Sequence, residues 1–547
     1  MRRAWEDQQF SNEHLLFGSR HPALDLPTLH PEQTHIFRLW QVYLDNVNPI
    51  LKITHTPTLQ SRIIEAVSNL GAVKPAMTAL MFSIYTIALL TMTDDACLTM
   101  LGSAKVDLLG RYRYLCQQAL LKCDFLRTND RDTLTALHLY LLAIRPDVDA
   151  QTLNSMLGLA IRLAQRMGLH SEAANHKAPP FEAEMRRRLW WSLALYDARI
   201  CEMSAWRSVT MVPTWDCAVP LNVNDFDLQP SMKEQPQVQG VLTETLFAMV
   251  RTEMNDALRN MDSFLDFVEP ALKPLARRRP RDSEGSGSEM AALAQEIEEK
   301  YLSHCNPDNP LHFLTLWSAR GYLAKSSLME LLNKSSTTAG GRQPEEQLAK
   351  ASIAAIMMLE CDTRLLSSAA IGGYKWFVEY QFPFPAYLFL TSEMRNHPFS
   401  SQIDRAWMAM GDNYDARVDR FTRKNPFHDF LGTLLCKAWS VQEAAWKEAG
   451  RSIPEPPPLI TRVKVAMAEI QAEKAATEQS TNDFDMNMDD FTMPFAMDFN
   501  DDYDGQSYLS MAPALIPPMP GQTMTHLNPQ QVDWNAMGWS ATNNAGW

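Results

Sequence analysis

The sequence predicts an all-α protein, a large multi-helix domain followed by a disordered acidic tail. Apolar residues recur three and four positions apart from residue 31 to residue 450, and no segment alternates apolar and polar residues as a strand would. The composition, 46% hydrophobic and 21% charged over 547 residues, is typical of a soluble globular protein with one large helical domain and appendages. Residues 475–547 contain ten acidic residues and no Lys or Arg, although the net charge of the whole chain is only −14.

Changes in composition divide the chain into four parts. The first is irregular and is interrupted by Pro22 and Pro27, which is typical of a linker. The second contains all the strongly periodic segments. The third combines a proline-rich linker with a short helix over 460–476, and the fourth is the acidic tail. The predicted boundaries are 1–30, 31–450, 451–476 and 477–547.

Within the second part, the spacing of apolar residues predicts the individual helices. One of them carries no charge over residues 75–93, and its isolation and its Ser83 and Tyr85 favour a buried central helix over a membrane span. No secretory signal is predicted, because no apolar segment follows the two N-terminal arginines. Helices are predicted over 61–70, 75–92, 106–125, 134–144, 311–332 and 347–367, one long helix over 238–268, and flexible loops over 272–290 and 334–347.

The most strongly patterned stretch is residues 151–230. Its first helix is predicted to end at Gly168, because glycine commonly terminates helices. Its second helix is predicted to begin with Pro180 in the first turn, where proline is tolerated. A polar loop follows, and it contains Asp216, Asn222, Asn224, Asp225 and Asp227. This composition resembles a calcium loop, but the glycine and the terminal glutamate of such a loop are missing, so a hydrogen-bonded loop that supports the helices is predicted.

The charged and aromatic residues of this stretch allow two interpretations each. Arg186–Arg188 resemble a phosphate-binding patch. However, Glu182 and Glu184 stand four residues before Arg186 and Arg188, which favours a solvated helix face whose acidic and basic side chains form ion pairs with each other. His170 has few ligand-type neighbours, which favours packing or capping over metal binding. Trp190 and Trp191 are predicted to lie in the core or at its edge.

Two further patterns bear on chemistry. The eight cysteines form no C-x-x-C pair, which indicates buried thiols in a reducing compartment and gives no metal or catalytic site. An aromatic segment, GYKWFVEYQFPFPAY from Gly373, is predicted to pack against neighbouring helices, with a small-molecule pocket as the alternative. No phosphate-binding glycine loop, nucleophile elbow, zinc-protease motif or dinucleotide fingerprint is present in the sequence.

Three motifs occur in a fixed order within residues 151–230: A-x-R-L-A before G-L-H, then three arginines before two tryptophans, then a D-x-R pair and an asparagine-rich loop. Together they resemble the regulatory middle region of fungal transcription factors of the zinc binuclear cluster (six-cysteine) family. The resemblance extends over about residues 31–450. The chain departs from the family pattern at Trp206-Arg207-Ser208, where Gly-Arg-Pro is usual. The motif residues include Arg162, Gly168, His170, Arg186, Arg187, Arg188, Trp190, Trp191, Asp197, Arg199, Pro220, Asn222, Asn224 and Asp225.

The resemblance implies a transcriptional regulator that acts in the nucleus, as a monomer or as a homo- or heterodimer. The family reads DNA through an N-terminal module with two zinc ions on six cysteines, but the first cysteine here is Cys97. Either the protein acts on DNA through a partner, or the sequence begins downstream of the true first exon. No cofactor is expected, and zinc is expected only if an upstream six-cysteine module exists.

Two segments predict how such a regulator would work. The tail alternates acidic residues with aromatic ones, which is typical of activation segments that bind coactivators of the transcription machinery, and its aromatic positions are Phe484, Phe491, Phe495, Phe499 and Tyr503. A basic run suggests a nuclear import signal, with a merely solvated loop as the alternative, and it contains Lys273, Arg277, Arg278, Arg279 and Arg281. The sequence therefore favours a fungal-type activator of RNA polymerase II transcription, with a set of metabolic genes as its expected target, that is neither an enzyme nor a membrane protein. The alternative is a helical small-molecule-binding protein or an enzyme without a recognisable motif.

Overall fold

A computed structural model describes residues 24–204, 208, 210–238, 240–277, 288–337, 345–418 and 426–481. Within these ranges the regular structure consists of twenty α-helices and eight short 3₁₀ helices, and no strand is present. The all-α prediction is therefore confirmed for the described part of the chain. Most of the acidic tail, residues 482–547, lies outside the described residues.

The α-helices are numbered in chain order. They are α1 Gln33–Asn46, α2 Asn48–Leu51, α3 Thr56–Ser68, α4 Pro75–Thr91, α5 Asp94–Leu101, α6 Lys105–Lys122, α7 Arg131–Ile144, α8 Ala150–Arg166, α9 Glu172–Asn175, α10 Pro180–Met203, α11 Leu246–Leu258, α12 Asp262–Val268, α13 Glu289–Lys300, α14 Pro310–Thr337, α15 Glu345–Ser367, α16 Lys375–Val378, α17 Phe384–Asn396, α18 Ile403–Val418, α19 Pro426–Glu448 and α20 Pro458–Thr481. The 3₁₀ helices are Leu26–Leu29, Leu70–Ala72, Phe125–Arg127, Arg145–Asp147, Asp225–Asp227, Pro270–Leu275, Leu302–His304 and Gly372–Tyr374.

The charge-free segment forms α4, the central helix of the largest core. Every residue from Met77 to Leu89 is buried, and α1, α6 and α7 pack around this helix. A helix that is apolar on all sides is stable only when it is surrounded in this way. The predicted buried helix is therefore confirmed. Among the described residues, no helix has the length and apolarity needed to span a bilayer.

Three hydrophobic clusters form the interior, and α14 contributes to all of them. The first surrounds α4, α7 and α10 and includes Leu314 of α14. The second lies among α15, α17, α18, α19 and the start of α20, and it includes Leu328. The third lies among α11, α13 and the middle of α14, and it includes Leu323. Helix α14 therefore ties the motif-bearing half of the chain to the C-terminal helices.

The predicted long helix over residues 238–268 is wrong. The segment before α11 is held instead by the polar loop, since the Asn222 side chain donates to the carbonyl of Val241 at 2.7 Å and Asn224 accepts the backbone N–H of Glu244 at 3.0 Å. Between α11 and α12 the side chain of Asn260 donates to the carbonyl of Asp256 at 2.7 Å, the group that would otherwise continue the helix. Side-chain hydrogen bonds therefore divide the region into two helices.

Two other boundaries also differ from the prediction. Helix α14 continues to Thr337, into the loop predicted over 334–347, because it packs along α15. The short helix predicted over 460–476 is longer, since α20 runs from Pro458 to Thr481. Its first turns are held by the second cluster through Leu459, Ile460 and Val463.

Candidate functional site

Gly168 ends α8 as predicted and sets the direction of the chain toward α10. Its φ of +80° is readily adopted only by glycine, and its N–H donates to the carbonyl of Gln165 at 3.0 Å. The N–H of Leu169 reaches the carbonyl of Ala164 at 3.1 Å, so the two bonds form a Schellman cap. His170 follows, and its ring packs 5.8 Å from the ring of Trp190. Burial lowers the pKa of His170, which favours its neutral form.

Helix α10 begins with Pro180 in its first turn, as predicted, and fifteen of its 24 residues are buried. The ion pairs that its spacing predicts are present, Glu182–Arg186 at 3.1 Å and Glu184–Arg188 at 2.9 Å. The predicted solvated face is wrong for Arg187 and Arg188, because both are buried. Trp190 and Trp191 are fully enclosed in the core, as predicted.

A network of charges that is buried except at Glu244 connects α10 to the rest of the first cluster. Arg188 donates to Glu184 and to Asp225 at 2.9 Å, and Asp225 also accepts from Lys52 at 3.2 Å. Lys52 adopts a left-handed conformation, with φ of +49°, at the end of α2, and it forms a second ion pair with Glu244 at 2.9 Å. We call Lys52, Glu184, Arg188, Asp225 and Glu244 the charge network.

Mutual compensation keeps Asp225 and Arg188 ionised. Burial alone would raise the pKa of Asp225, but Lys52 and Arg188 outweigh it and lower the pKa to about 2. Burial would likewise lower the pKa of Arg188, whereas Glu184 and Asp225 raise it. The charges of the folded protein therefore depend on one another, and removal of one leaves its buried neighbours with fewer ionic partners.

The polar loop is hydrogen-bonded to protein groups throughout, as predicted. Asp216 accepts the N–H of Glu172 at 2.9 Å, and Asn222 accepts from Thr243 at 2.6 Å. Asn224 and Asp227 form a reciprocal capping box around the 3₁₀ helix between them. Among the described residues, no group of three or more His, Cys, Asp or Glu side chains is arranged so that it could hold a metal ion. The loop therefore fixes the direction in which Asp225 enters the interior.

The D-x-R pair anchors two more segments to the C-terminal part of α10. Asp197 is buried and accepts from the hydroxyls of Ser208 and Thr210, both at 2.6 Å. Arg199 donates to the carbonyl of Tyr380 at 2.6 Å and pairs with Glu202 at 2.9 Å. One turn of helix thus holds the chain that follows it and the aromatic segment near residue 380.

A cavity opens beside the charge network, between α7, α10, α11 and the aromatic segment. Its volume is about 50 Å³, and it is lined by apolar, aromatic and basic side chains. Pro220 and Leu221 of the polar loop close one side, and Phe377 and Tyr380 close another. The aromatic segment thus both packs in the core, as predicted, and borders a cavity.

Comparison with known proteins places this arrangement in a family. The model of the fungal specific transcription factor domain matches residues 40–244, a range that contains the entire charge network. Transcriptional regulator AacuB of Aspergillus aculeatus is 44% identical over 509 residues, which is 91% of this chain and 68% of that protein. The chain belongs to the fungal transcription factor family. It is a fungal transcriptional regulator.

Two further regulators extend the comparison. Transcriptional regulator nsrM of Aspergillus novofumigatus is 38% identical over 564 residues, covering 100% of this chain and 77% of the relative. The aurofusarin cluster transcription factor aurR2 of Gibberella zeae is 31% identical over 493 residues, covering 87% of this chain and 70% of the relative. Each match therefore includes most of the helical part of this fungal transcription factor.

The structure separates the motif residues of this regulator by environment. Most lie in the core, in the charge network or in the polar loop, whereas Arg162 is exposed on α8. Arg207 lies outside the described residues, as do Arg278, Arg279 and Arg281 of the basic run and all five aromatic positions of the tail. Lys273 and Arg277 are described, and they pair with Asp266 at 2.6 Å and Asp256 at 2.9 Å.

Sequence reasoning missed the basic residues that border the cavity or the network. Lys52, Arg145 and Arg251 each stand alone in an apolar run, in ILKIT, LLAIRP and AMVRT. A single cation within such a run is the signal that could have found them, because a charge there must either be paired or face a cavity.

Proposed function

We propose that this regulator activates RNA polymerase II transcription of a small-molecule biosynthetic gene set, and that it is not an enzyme. The relation to AacuB, nsrM and aurR2 carries the proposal, since the first two are named as transcriptional regulators and the third as a transcription factor. The name of aurR2 ties that relative to a gene cluster for one compound, aurofusarin. The described helices supply a rigid regulatory body, and the acidic tail supplies the activating segment.

Residues 477–510 are expected to activate transcription when they are fused to an unrelated DNA-binding domain. Acidic residues keep the interleaved aromatic residues in water, and a coactivator groove then binds the aromatic side chains. Replacing Phe484, Phe491, Phe495 and Phe499 by alanine should abolish reporter activity, whereas replacing the aspartates by asparagine should only reduce it. A fusion of residues 511–547, which contain a single acidic residue, is the control. An inactive 477–510 fusion that is present at a normal level contradicts the activator proposal.

The basic run from Lys273 to Arg281 is proposed to direct nuclear import. Replacing Arg277, Arg278 and Arg279 by alanine should shift a fluorescently tagged protein from the nucleus to the cytoplasm, because an import receptor reads clustered cations. Ion pairs hold Lys273 and Arg277 on the surface, but both side chains remain partly exposed and within reach of a receptor.

The matched control for import removes three cations that are not clustered. Lys122, Lys350 and Lys447 are exposed on α6, α15 and α19, and replacing them by alanine changes the net charge equally. Nuclear accumulation of the control with cytoplasmic retention of the arginine variant supports the signal. Unchanged nuclear accumulation of the arginine variant assigns the run to an ordinary solvated loop.

The partners proposed for this regulator are coactivators at the tail and a DNA-reading protein or a second copy of the chain. The net charge of −14 opposes direct binding of a phosphate backbone. In addition, the cations of the three-arginine motif are engaged with Glu182, Glu172 and Glu184, so they do not form a free phosphate-binding patch. We therefore propose that the described helices do not touch DNA themselves and reach it only through a partner.

A further inference from the structure

A proline-rich segment joins α19 to α20 on the surface of the protein. It reads RSIPEPP from Arg451 to Pro457, all within the described part of the chain, and none of these residues belongs to a helix or a strand. Residues 451–456 are exposed, and Pro457 is half-buried. The proposed activator role assigns no task to this segment.

The sequence restricts this segment to the polyproline II conformation. Proline fixes its own φ at about −65°, and it disfavours the α-helical conformation for the residue before it. Every residue from Ile453 to Pro457 either is a proline or precedes one. A polyproline II helix makes no internal hydrogen bonds, so a partner can bind its backbone carbonyls as well as its side chains.

Both ends of the segment are fixed to the folded protein. Gly450 follows α19 with a φ of +66°, and its N–H donates to the carbonyl of Lys447 at 3.1 Å. The N–H of Arg451 donates to the carbonyl of Trp446 at 3.0 Å, so the two bonds form a Schellman cap. At the other end, the first turn of α20 is buried in the second cluster. The segment is therefore held in place before a partner arrives, which lowers the entropic cost of binding.

The three-residue turn of a polyproline II helix sorts the side chains of the segment into edges. Arg451, Pro454 and Pro457 are three residues apart, so they lie along one edge. Ile453 and Pro456 are also three residues apart and lie along the next edge. One side of the segment thus presents two apolar pairs and a cation, in the order R-x-x-P-x-x-P.

Aromatic rings position Arg451 at the start of this edge. Its guanidinium lies 4.8 Å from the ring centroid of Phe399 and 5.7 Å from that of Trp446. Among the described residues, no carboxylate forms an ion pair with Arg451. Stacking on an aromatic ring holds a cation without neutralising it. The charge of Arg451 is therefore available to an acidic group of a partner.

We propose that residues 451–457 bind an SH3 domain of a partner protein. SH3 domains hold P-x-x-P segments in a groove lined by aromatic side chains. The two apolar pairs would fill that groove, and Arg451 would pair with a carboxylate at its end. A rigid spacer between α19 and α20 would need the stiffness of the prolines, but it would need neither the cation nor its alignment with Pro454 and Pro457.

Binding is measured on the purified whole chain, so the result does not depend on the activator role. The probes are purified fungal SH3 domains, each immobilised singly for biolayer interferometry. At least one domain should bind the chain saturably, with one domain per chain. Joint replacement of Pro454 and Pro457 by alanine should weaken this binding by about tenfold or more, because both apolar pairs are lost.

Arg451→Gln should also weaken binding by about tenfold, because the charge-assisted hydrogen bonds to the carboxylate are lost. The difference between this variant and the wild type should shrink at high salt, since salt screens exposed charges. A segment that served only as a spacer would show neither effect.

Ser452→Ala and Glu455→Gln are the matched controls. Both residues are exposed and lie along the third edge, which faces away from the groove. Both variants should bind the SH3 domain at least as tightly as the wild type. Circular dichroism checks that every variant keeps the helical fold.

Four results would overturn the proposal. They are no binding of the wild-type chain to any domain of the panel, wild-type affinity in the variant of Pro454 and Pro457, wild-type affinity in Arg451→Gln, and binding of a free peptide of residues 449–460 to a domain that the folded chain does not bind. Binding that is lost in the proline and arginine variants and retained in Ser452→Ala and Glu455→Gln supports the site.

Discussion

Replacing Glu184 by glutamine is expected to lower the free energy of unfolding by about 3–5 kcal/mol, the usual cost of breaking a buried ion pair from one side. The Glu184 side chain is fully buried, and it accepts from Arg188 at 2.9 Å and from the backbone N–H of Leu221 at 3.1 Å. The amide keeps the volume of the carboxylate and loses its charge. Arg188 then retains only Asp225 as an anionic partner. The new NH₂ group also faces the N–H groups whose hydrogen bonds the carboxylate accepted.

Glu182→Gln provides the control on the same helix. Glu182 pairs with Arg186 at 3.1 Å and with Arg131 at 3.2 Å, but all three side chains are partly exposed. Water solvates the two arginines after the substitution and replaces part of the ion-pair interaction. The expected loss in the free energy of unfolding is therefore at most about 1 kcal/mol. Urea unfolding followed by circular dichroism measures both variants. Equal losses in Glu184→Gln and Glu182→Gln would show that burial does not set the energy of the network.

Local signals in the sequence were sufficient for the helices and their ends. Gly168 ends α8 because its left-handed φ is a property of glycine, and Pro180 begins α10 because the first turn needs no N–H from that residue. The Glu184–Arg188 pair also follows from spacing alone, since residues four apart share a helix face. Features set within one turn of helix can therefore be predicted from the sequence.

The burial of that pair could not be predicted, because its environment is built by distant parts of the chain. Asp225 lies 37 residues from Arg188, and Lys52 lies 173 residues from Asp225. The cavity has the same origin, since Arg145 follows α7, Arg251 lies on α11 and Phe377 lies on α16. Spacing within a helix says that two charges face the same way, but it does not say what covers them.

Acid is expected to weaken this fold already between pH 6.5 and pH 5, chiefly through the buried His138 and the half-buried His30. Burial lowers the pKa of His138 to about 3 and that of His30 to about 4. The unfolded chain protonates both near pH 6.5 while the folded chain does not, so the unfolded state binds more protons and stability falls as the pH falls. By pH 5, each histidine should contribute a loss of about 2 kcal/mol. Asp225, with its pKa lowered to about 2, adds to the loss only below about pH 4.

His138→Gln should remove about 2 kcal/mol of this acid sensitivity, roughly half of the loss between pH 6.5 and pH 5. His138 is fully buried in α7, its Nε2 lies 2.8 Å from the Ser192 hydroxyl, and its ring packs against Tyr196. Glutamine retains a polar group for Ser192 but cannot titrate. The decisive quantity is the slope of unfolding free energy against pH, because the stability at neutral pH also reports changed packing. His304→Gln, at an exposed position, should leave the slope unchanged. A His138→Gln slope equal to that of the wild type would mean that His138 does not exclude its proton in the folded state.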